Sequence, residues 1–417
     1  MTNVYATYRS FNRPSRMLMI NQFAINTGFY MLMPYLAGYM AGPLGLAAWA
    51  IGLVLGIRNF SQQGMFLVGG TLADRLGYKP LIVAGCLLRT GGFAVLAVAD
   101  SLPALLIASA ATGFAGALFN PAVRAYLAVD SAERRVEAFA VFNIFYQAGI
   151  LFGPIVGLAL MAFDFRATAT GAAVVFGLLT LAQLRALPQH RAEPQTASVL
   201  DDWRVVLANR PFLLFALAMI GCYVLSFQVY LALPMQAAHI VGADSASMVM
   251  TAAFVVSGVI AIAGQLRITR WFTRRWGRPH SLVFGMATLA AAFVPLLLVP
   301  GDGLGTWTAV GALLVTAAVL GVGAAAVFPF EMDTVVALCG DRLVATHYGG
   351  YNTIVGIGIL LGNLGTGTIL DAARGAGMSS LAWAGLIAIG AVAASGLYAL
   401  AQSGRLDAPL PIGRASM

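Results

Sequence analysis

Gly70-Thr-Leu-Ala-Asp74-Arg75-Leu-Gly77-Tyr-Lys79-Pro80 is a polar turn between two long apolar runs, and its reading decides the fold. One acid and two cations in a tight turn stand out in a chain with a mean hydropathy of +0.84. The glycines allow the chain to turn sharply and the flanking helices to approach closely. Asp74 is placed to face a helix amino terminus. Arg75 and Lys79 mark the membrane face on which positive charge collects.

The surroundings of the turn fit a membrane. Of the 417 residues, 60% are hydrophobic and 10% are charged, whereas a soluble domain carries roughly 25% charged residues. Apolar runs recur from end to end, each long enough to cross a hydrocarbon core of about 30 Å. They predict twelve spans at 17–40, 47–72, 80–99, 103–127, 138–162 and 167–187, then 211–237, 246–268, 281–299, 307–330, 346–370 and 378–402. The first, from Met17 to Met40, exceeds the apolar core of a signal peptide and is expected to stay as a membrane helix. The longest polar stretch, Pro188 to Arg210, divides the chain. Residues 1–187 and 211–417 are expected as six-helix bundles, with 188–210 a cytoplasmic linker bearing a short interfacial helix around Trp203.

Charge placement sets the orientation. With the amino terminus cytoplasmic, 20 of the 24 basic residues fall at or near the cytoplasmic face, Arg166 and Arg374 fall outside, and Arg58 and Arg89 lie within spans. That asymmetry explains the net charge of +8 without a nucleic acid partner. A multi-pass protein of the inner (plasma) membrane is expected, both termini cytoplasmic and the lipid bilayer its surroundings. Cys86, Cys222 and Cys339 form no disulfide or metal pattern, and no catalytic cluster of His, Asp or Ser is present, so neither enzyme nor cofactor is expected. The sole lysine, Lys79, is followed by Pro80, which leaves no phosphate-cradling loop. Energy is expected from an ion gradient, at about 2.3 kcal/mol per charge per 100 mV.

The halves echo each other. Arg13-Pro14 recurs as Arg210-Pro211, and Gly28-Phe-Tyr30 as Gly221-Cys-Tyr223. Arg75-Leu-Gly77-Tyr-Lys-Pro80 recurs as Arg275-Trp-Gly277-Arg-Pro279, and Pro121 as Pro329. Four echoes in one order imply a duplicated six-helix unit, an arrangement that places a binding site near the bilayer midplane.

Several residues carry candidate mechanism. Arg58 lies about 17 Å into span 2 and Arg89 about 14 Å into span 3. An arginine at that depth costs several kcal/mol unless solvated, paired or snorkelling, so function is the default reading; fixing a packing arrangement is the alternative. Glu331 and Asp333 border span 10 about 36–39 Å from its outer end. They read either as proton carriers or as interfacial acids facing Arg124 or loop arginines. In span 5, Gly149, Gly153 and Gly157 recur four residues apart around Pro154, a smooth stripe for a neighbouring helix with a proline bend.

The opening turn resembles the signature G-x-L-a-D-r-x-G-r-k between the second and third helices of the major facilitator superfamily. Gly149-Ile-Leu-Phe-Gly153-Pro154-Ile-Val-Gly157 is similar to the antiporter motif of the superfamily's drug exporters. It departs at Leu158, where the pattern has its last glycine, and at Ala140. Arg58-Asn-Phe-Ser-Gln-Gln-Gly64, Leu88-Arg89-Thr-Gly-Gly-Phe93, Gly116-Ala-Leu-Phe-Asn-Pro121 and Asp164-Phe-Arg166 resemble bacterial multidrug exporters, while the second half matches less well around Phe328 to Asp333.

The resemblance implies an all-α membrane protein of twelve transmembrane helices in two pseudo-symmetric six-helix bundles. It implies a monomeric secondary exporter of small amphipathic molecules, exchanged for protons or another ion by alternating access. Export of an endogenous metabolite such as a siderophore, which two arginines would suit, is the second reading, and nutrient uptake the third. Gly70, Asp74, Arg75, Gly77, Lys79 and Arg124 take the gating role. In the outward-facing arrangement Asp74 is expected near Thr346 to Gly350 and near Arg124. Tyr30, Asn26, Asn143, Tyr223, Gln228 and Asn352 lie on helices that line the cavity in relatives, and Arg58, Gln62 and Arg89 join them as substrate or coupling candidates. Exporters usually carry an arginine four residues before the Gly-x-x-Gly of span 4. Here Gly113 and Gly116 are present but that position is Ser109, and Arg58 and Arg89 are candidates to replace it.

Overall fold

The computed structural model describes residues 4–161, 163–188, 198–299, 305–375, 378 and 380–406, and among these every regular element is helical. In hydrocarbon a helix satisfies its own backbone hydrogen bonds, which is why the apolar runs take this form. In chain order they are α1 (Val4–Arg9), α2 (Arg13–Tyr30), α3 (Met33–Ala41), α4 (Ala48–Gln63), α5 (Phe66–Leu76), α6 (Tyr78–Val98), α7 (Leu102–Ser131), α8 (Arg135–Met161) and α9 (Phe165–Ala186). Then follow α10 (Val199–Ala208), α11 (Arg210–Phe227), α12 (Ala232–Val241), α13 (Ala243–Ala291), α14 (Val294–Leu298), α15 (Thr306–Cys339), α16 (Val344–Gly375) and α17 (Ser380–Gln402).

These helices make twelve spans. Eight helical stretches among the described residues are long and apolar enough to cross a membrane, and two of them, Leu102–Met161 and Met248–Leu298, each hold two spans. The remaining two spans are broken helices: α2 and α3 part at Met31 and Leu32, and α4 and α5 at Gly64 and Met65. Large apolar side chains face outward along the spans, Ile107, Leu178 and Val392 among them, as lipid contact requires. Residues 189–197 of the expected linker and the side chain of Arg374 lie outside the described residues. The linker's short helix is α10, centred on Trp203.

The chain forms two compact units. One comprises Met1–Val206 with Leu343–Thr353, and the other Leu207–Arg342 with Ile354–Met417. In the first, α2 packs on α8 and α9, α6 on α7 and α9, and α4 on α7. Phe29, Phe93, Phe119 and Phe176 fill its interior. In the second, α13 packs on α15 and α17, and α11 on α17.

Each unit repeats the same local construction. Pro14 and Pro211 sit in the first turns of α2 and α11, where a missing N–H costs nothing. Pro121 and Pro329 lie inside α7 and α15. Gly28 faces Phe176 of α9, and Gly221 faces Ala393 of α17, so the same helix pair is brought close in both units. The hinge glycines coincide in conformation too: Gly77 has φ 92 and ψ 154, and Gly277 has φ 67 and ψ −179. Both lie in a backbone region essentially reserved for glycine. Gly77→Ala and Gly277→Ala should each cost about 1–3 kcal/mol, read as a lower unfolding temperature of the purified protein. An unchanged temperature for both would contradict the shared hinge geometry.

Candidate functional site

The α5–α6 turn is a junction of three segments. Asp74 Oδ2 accepts hydrogen bonds from the backbone N–H of Thr346 at 2.7 Å and from its hydroxyl at 2.7 Å. Asp74 Oδ1 accepts from Ala345 N–H at 3.1 Å and from Tyr78 at 3.3 Å. A carboxylate on the first N–H groups of α16 satisfies donors that have no partner within the helix and lies at the positive end of its dipole. Burial pushes the Asp74 carboxyl above the usual carboxylate range, against the bonds from Thr346, Ala345 and Tyr78 that draw it down.

Glycines set the approach. A Cβ on Gly70 would run into the carbonyl oxygen of Ala345, and one on Gly349 into that of Phe66. Here α5 and the start of α16 meet backbone to backbone. The two cations of the turn point elsewhere. Arg75 binds Asp202 of α10, Nη2 at 2.6 Å and Nε at 2.8 Å from the same oxygen, while Lys79 donates to the carbonyl of Leu184 at 2.8 Å. Trp203 of α10 donates to Thr71 at 2.9 Å. Arg124, expected near Asp74, donates to Asn352 at 2.9 Å. Asn352 donates in turn to the carbonyl of Tyr348 at 2.6 Å, so its oxygen and nitrogen are both engaged in holding α16.

The glycine stripe of α8 lies against α2. Cβ atoms on Gly149 and Gly153 would stand 2.5 Å from Phe23 O and 2.7 Å from Tyr30 Cβ, and one on Gly157 would strike Met31 O. The carbonyl of Pro154 accepts from Tyr35 at 2.8 Å. Tyr30 is thereby fixed at the end of α2, over the stripe.

The two arginines meet around one ring. The Arg58 guanidinium lies 4.5 Å from the centroid of Phe29, and that of Arg89 lies 5.0 Å from the same centroid. Arg89 is 4% exposed and also lies 5.6 Å and 5.4 Å from the centroids of Phe119 and Phe176. Arg58 is half-buried and donates to Asn59 at 2.7 Å and to Gln62 at 3.3 Å. Among the described residues neither arginine forms an ion pair, and the Nε of each is buried without a hydrogen-bond partner. Aromatic faces supply about 2 kcal/mol or more to a desolvated cation, which accounts for a charge kept inside an apolar bundle. The glycines of α7 make the space. A Cβ on Gly113 would meet the Arg58 carbonyl oxygen, and one on Gly116 would stand 2.9 Å from Arg89 Nη2. Ser109, at the position of the expected arginine, is buried with no partner for its hydroxyl.

In the second unit, Glu331 is 2% exposed and accepts from the Tyr223 hydroxyl at 2.6 Å. Asp333, two residues on, pairs with Arg278 at 3.1 Å, a cation of the second hinge rather than Arg124. Gln228 is fully buried at the break between α11 and α12 and donates to Val224 O at 2.8 Å. Asn143 is buried in α8 and Asn26 donates to Tyr146 O at 2.8 Å.

Sequence reasoning did not find the partners Phe119 and Phe176, Gly349, or the Asp202–Arg75 pair. The sequence signal for the last was an acidic first turn, Leu200-Asp-Asp-Trp203, whose buried member is Asp202 (3% exposed). Arg75→Gln would leave that carboxylate buried without its cation and should cost about 1–3 kcal/mol. Arg75→Gln with Asp202→Asn should recover part of the loss in thermal unfolding, whereas strictly additive single effects would rule out the pairing.

Comparison with known proteins gives the wider setting. The family described as Major Facilitator Superfamily matches residues 18–363. An uncharacterized MFS-type transporter of Mycobacterium tuberculosis is 65% identical over 398 residues, covering 95% of each chain. The multidrug resistance protein MdtH of Yersinia enterocolitica is 29% identical over 398 residues, covering 95% of this chain and 96% of its own. The crystal structure of the human organic anion transporter MFSD10 shares the fold with a TM-score of 0.69 at 15% identity, covering 92% of this chain and 99% of that one.

Proposed function

We propose that this chain, which belongs to the major facilitator superfamily, is a secondary active exporter of small amphipathic molecules driven by proton antiport. It is a multi-pass membrane transporter, and its direction and coupling are the inference. The observation that carries the reading is the seating of Gly149, Gly153 and Gly157 of α8 on the backbone of α2, because that stripe is the run resembling the exporters' antiporter motif. Relatives about 29% identical that bear the multidrug resistance name support the same direction. The protein would work as a monomer in the inner membrane with both termini cytoplasmic.

The residues divide by role in this reading. Asp74, held by Thr346 and Ala345, is a latch on the amino end of α16 that must release once per cycle. Arg58, Gln62 and Tyr30 serve the substrate. Glu331, bonded to Tyr223, carries the proton, while Asp333 is engaged with Arg278. A second reading, export of an endogenous metabolite such as a siderophore, is favoured by Arg58 and Arg89, which form no ion pair among the described residues.

Proteoliposomes with an imposed pH gradient test the proposal. Glu331→Gln should abolish uphill movement of an amphipathic probe and leave downhill exchange within about twofold of wild type, and Asp333→Asn should keep both. Undiminished uphill transport in Glu331→Gln would move the proton path elsewhere. Asp74→Asn should slow transport with little loss of folded protein, and full transport would remove the latch.

A further inference from the structure

We infer that the Arg58 guanidinium docks the anionic head of the transported molecule, so that the substrate class is a small organic acid carried as its carboxylate. The inference rests on the proposal that Arg58 serves the substrate, and it names the charge that substrate must bear.

The two arginines differ in access. Arg89 is 4% exposed and enclosed by aromatic rings, whereas Arg58 is half-buried and its neighbour Asn59 is exposed. Arg58 is therefore the reachable member and Arg89 the charge behind it. The groups that Arg58 does engage are neutral: the amide oxygens of Asn59 and Gln62. An amide that accepts from an arginine through its oxygen keeps its NH2 free to donate, so Arg58, Asn59 and Gln62 together present donors and no negative charge. A guanidinium surrounded by donors suits a carboxylate, which accepts two parallel N–H bonds from such a fork.

Electrostatics points the same way. Arg58 and Arg89 share the Phe29 ring, and two like charges that close in an apolar bundle oppose each other. Several carboxylates of the first unit have other partners: Asp74 on Thr346, Asp100 on Arg166, Asp130 on Ser15, Glu137 on Arg134, Asp201 on Arg204 and Asp202 on Arg75. Among the described residues no carboxylate forms an ion pair with Arg58 or Arg89. A bound anion would relieve the repulsion and supply the missing counter-charge, while an organic cation would meet two charges of its own sign.

The test uses three probes of one shape and different charge: 1-naphthoate, 1-naphthamide and 1-naphthylmethylammonium. Binding to the purified full-length protein in nanodiscs is read by isothermal titration. Naphthoate should bind at least about tenfold more tightly than either of the others, as a charge-assisted pair in a partly desolvated site requires. Arg58→Gln should remove that preference and Arg58→Lys should restore part of it. Arg89→Gln should weaken naphthoate binding by a smaller factor, and if that variant fails to fold, the Arg58 pair still decides. Equal affinity for the three probes, tighter binding of the ammonium, or a naphthoate preference that survives Arg58→Gln would overturn the inference. Proteoliposome transport separates this result from the exporter proposal. Naphthoate binding that depends on Arg58 without gradient-driven export would leave the anion site standing and sink the exporter reading. Gradient-driven export of the ammonium without a naphthoate preference would do the reverse.

Discussion

A single carboxylate organises the hinge. Asp74 spends both oxygens on the amino end of α16, and everything around it follows from that engagement. For the carboxylate to reach backbone N–H groups, α5 and α16 must touch without side chains between them, which is why Gly70 and Gly349 stand where each would strike the other helix's neighbouring carbonyl. Once α16 is seated, Asn352 lies where Arg124 can donate to it. The flanking cations tie the turn to α10 and to the end of α9. A charge buried in this manner is tolerable because it is fully hydrogen-bonded, and the same burial makes any loss of those bonds expensive. In the proposed transport cycle this element would switch between bonded and released rather than pass through a continuum.

The interior of the first unit solves a different electrostatic problem. Two arginines enter an apolar bundle with rings rather than acids for company. Rings can hold a cation without cancelling it, so positive potential remains available to a visiting molecule. In the second unit the buried Glu331 accepts from a phenol, and the buried Asp333 pairs with Arg278. In the proposed reading the arginines of one unit serve the substrate and Glu331 of the other serves the ion.

Much of this was legible in the sequence, and the physical reasons are specific. Twelve spans could be counted because a bilayer forces apolar runs of fixed length, and the turn at Asp74 could be recognised because its residues are contiguous. The expectation that Asp74 meets the start of span 11 rested on the family resemblance; Thr346 lies in that stretch and Ala345 just before it. The duplicated hinge was visible as Arg-x-Gly in both halves and appears as matching backbone at Gly77 and Gly277. What could not be read was the identity of partners brought together from separate helices. Phe29, Phe119 and Phe176 look like ordinary core aromatics in isolation, and only the fold sets them around Arg89. Asn352 is a cavity candidate by its place on its helix; that its amide accepts from Arg124 and donates to Tyr348 could not be read from spacing. Asp202 belongs to a visibly acidic first turn of α10, but nothing in the spacing pairs it with Arg75, which the fold brings to it.

The central claim is that the bonds from Ala345 and Thr346 to Asp74 break and re-form as the protein works. Hydrogen exchange of the peptide spanning Leu343–Thr353 measures this directly, because those two amide hydrogens are the ones the carboxylate protects. The account predicts strong protection at rest and a marked rise in exchange at Ala345 and Thr346 during gradient-driven turnover in proteoliposomes. Protection that stays the same at rest and in turnover would contradict it.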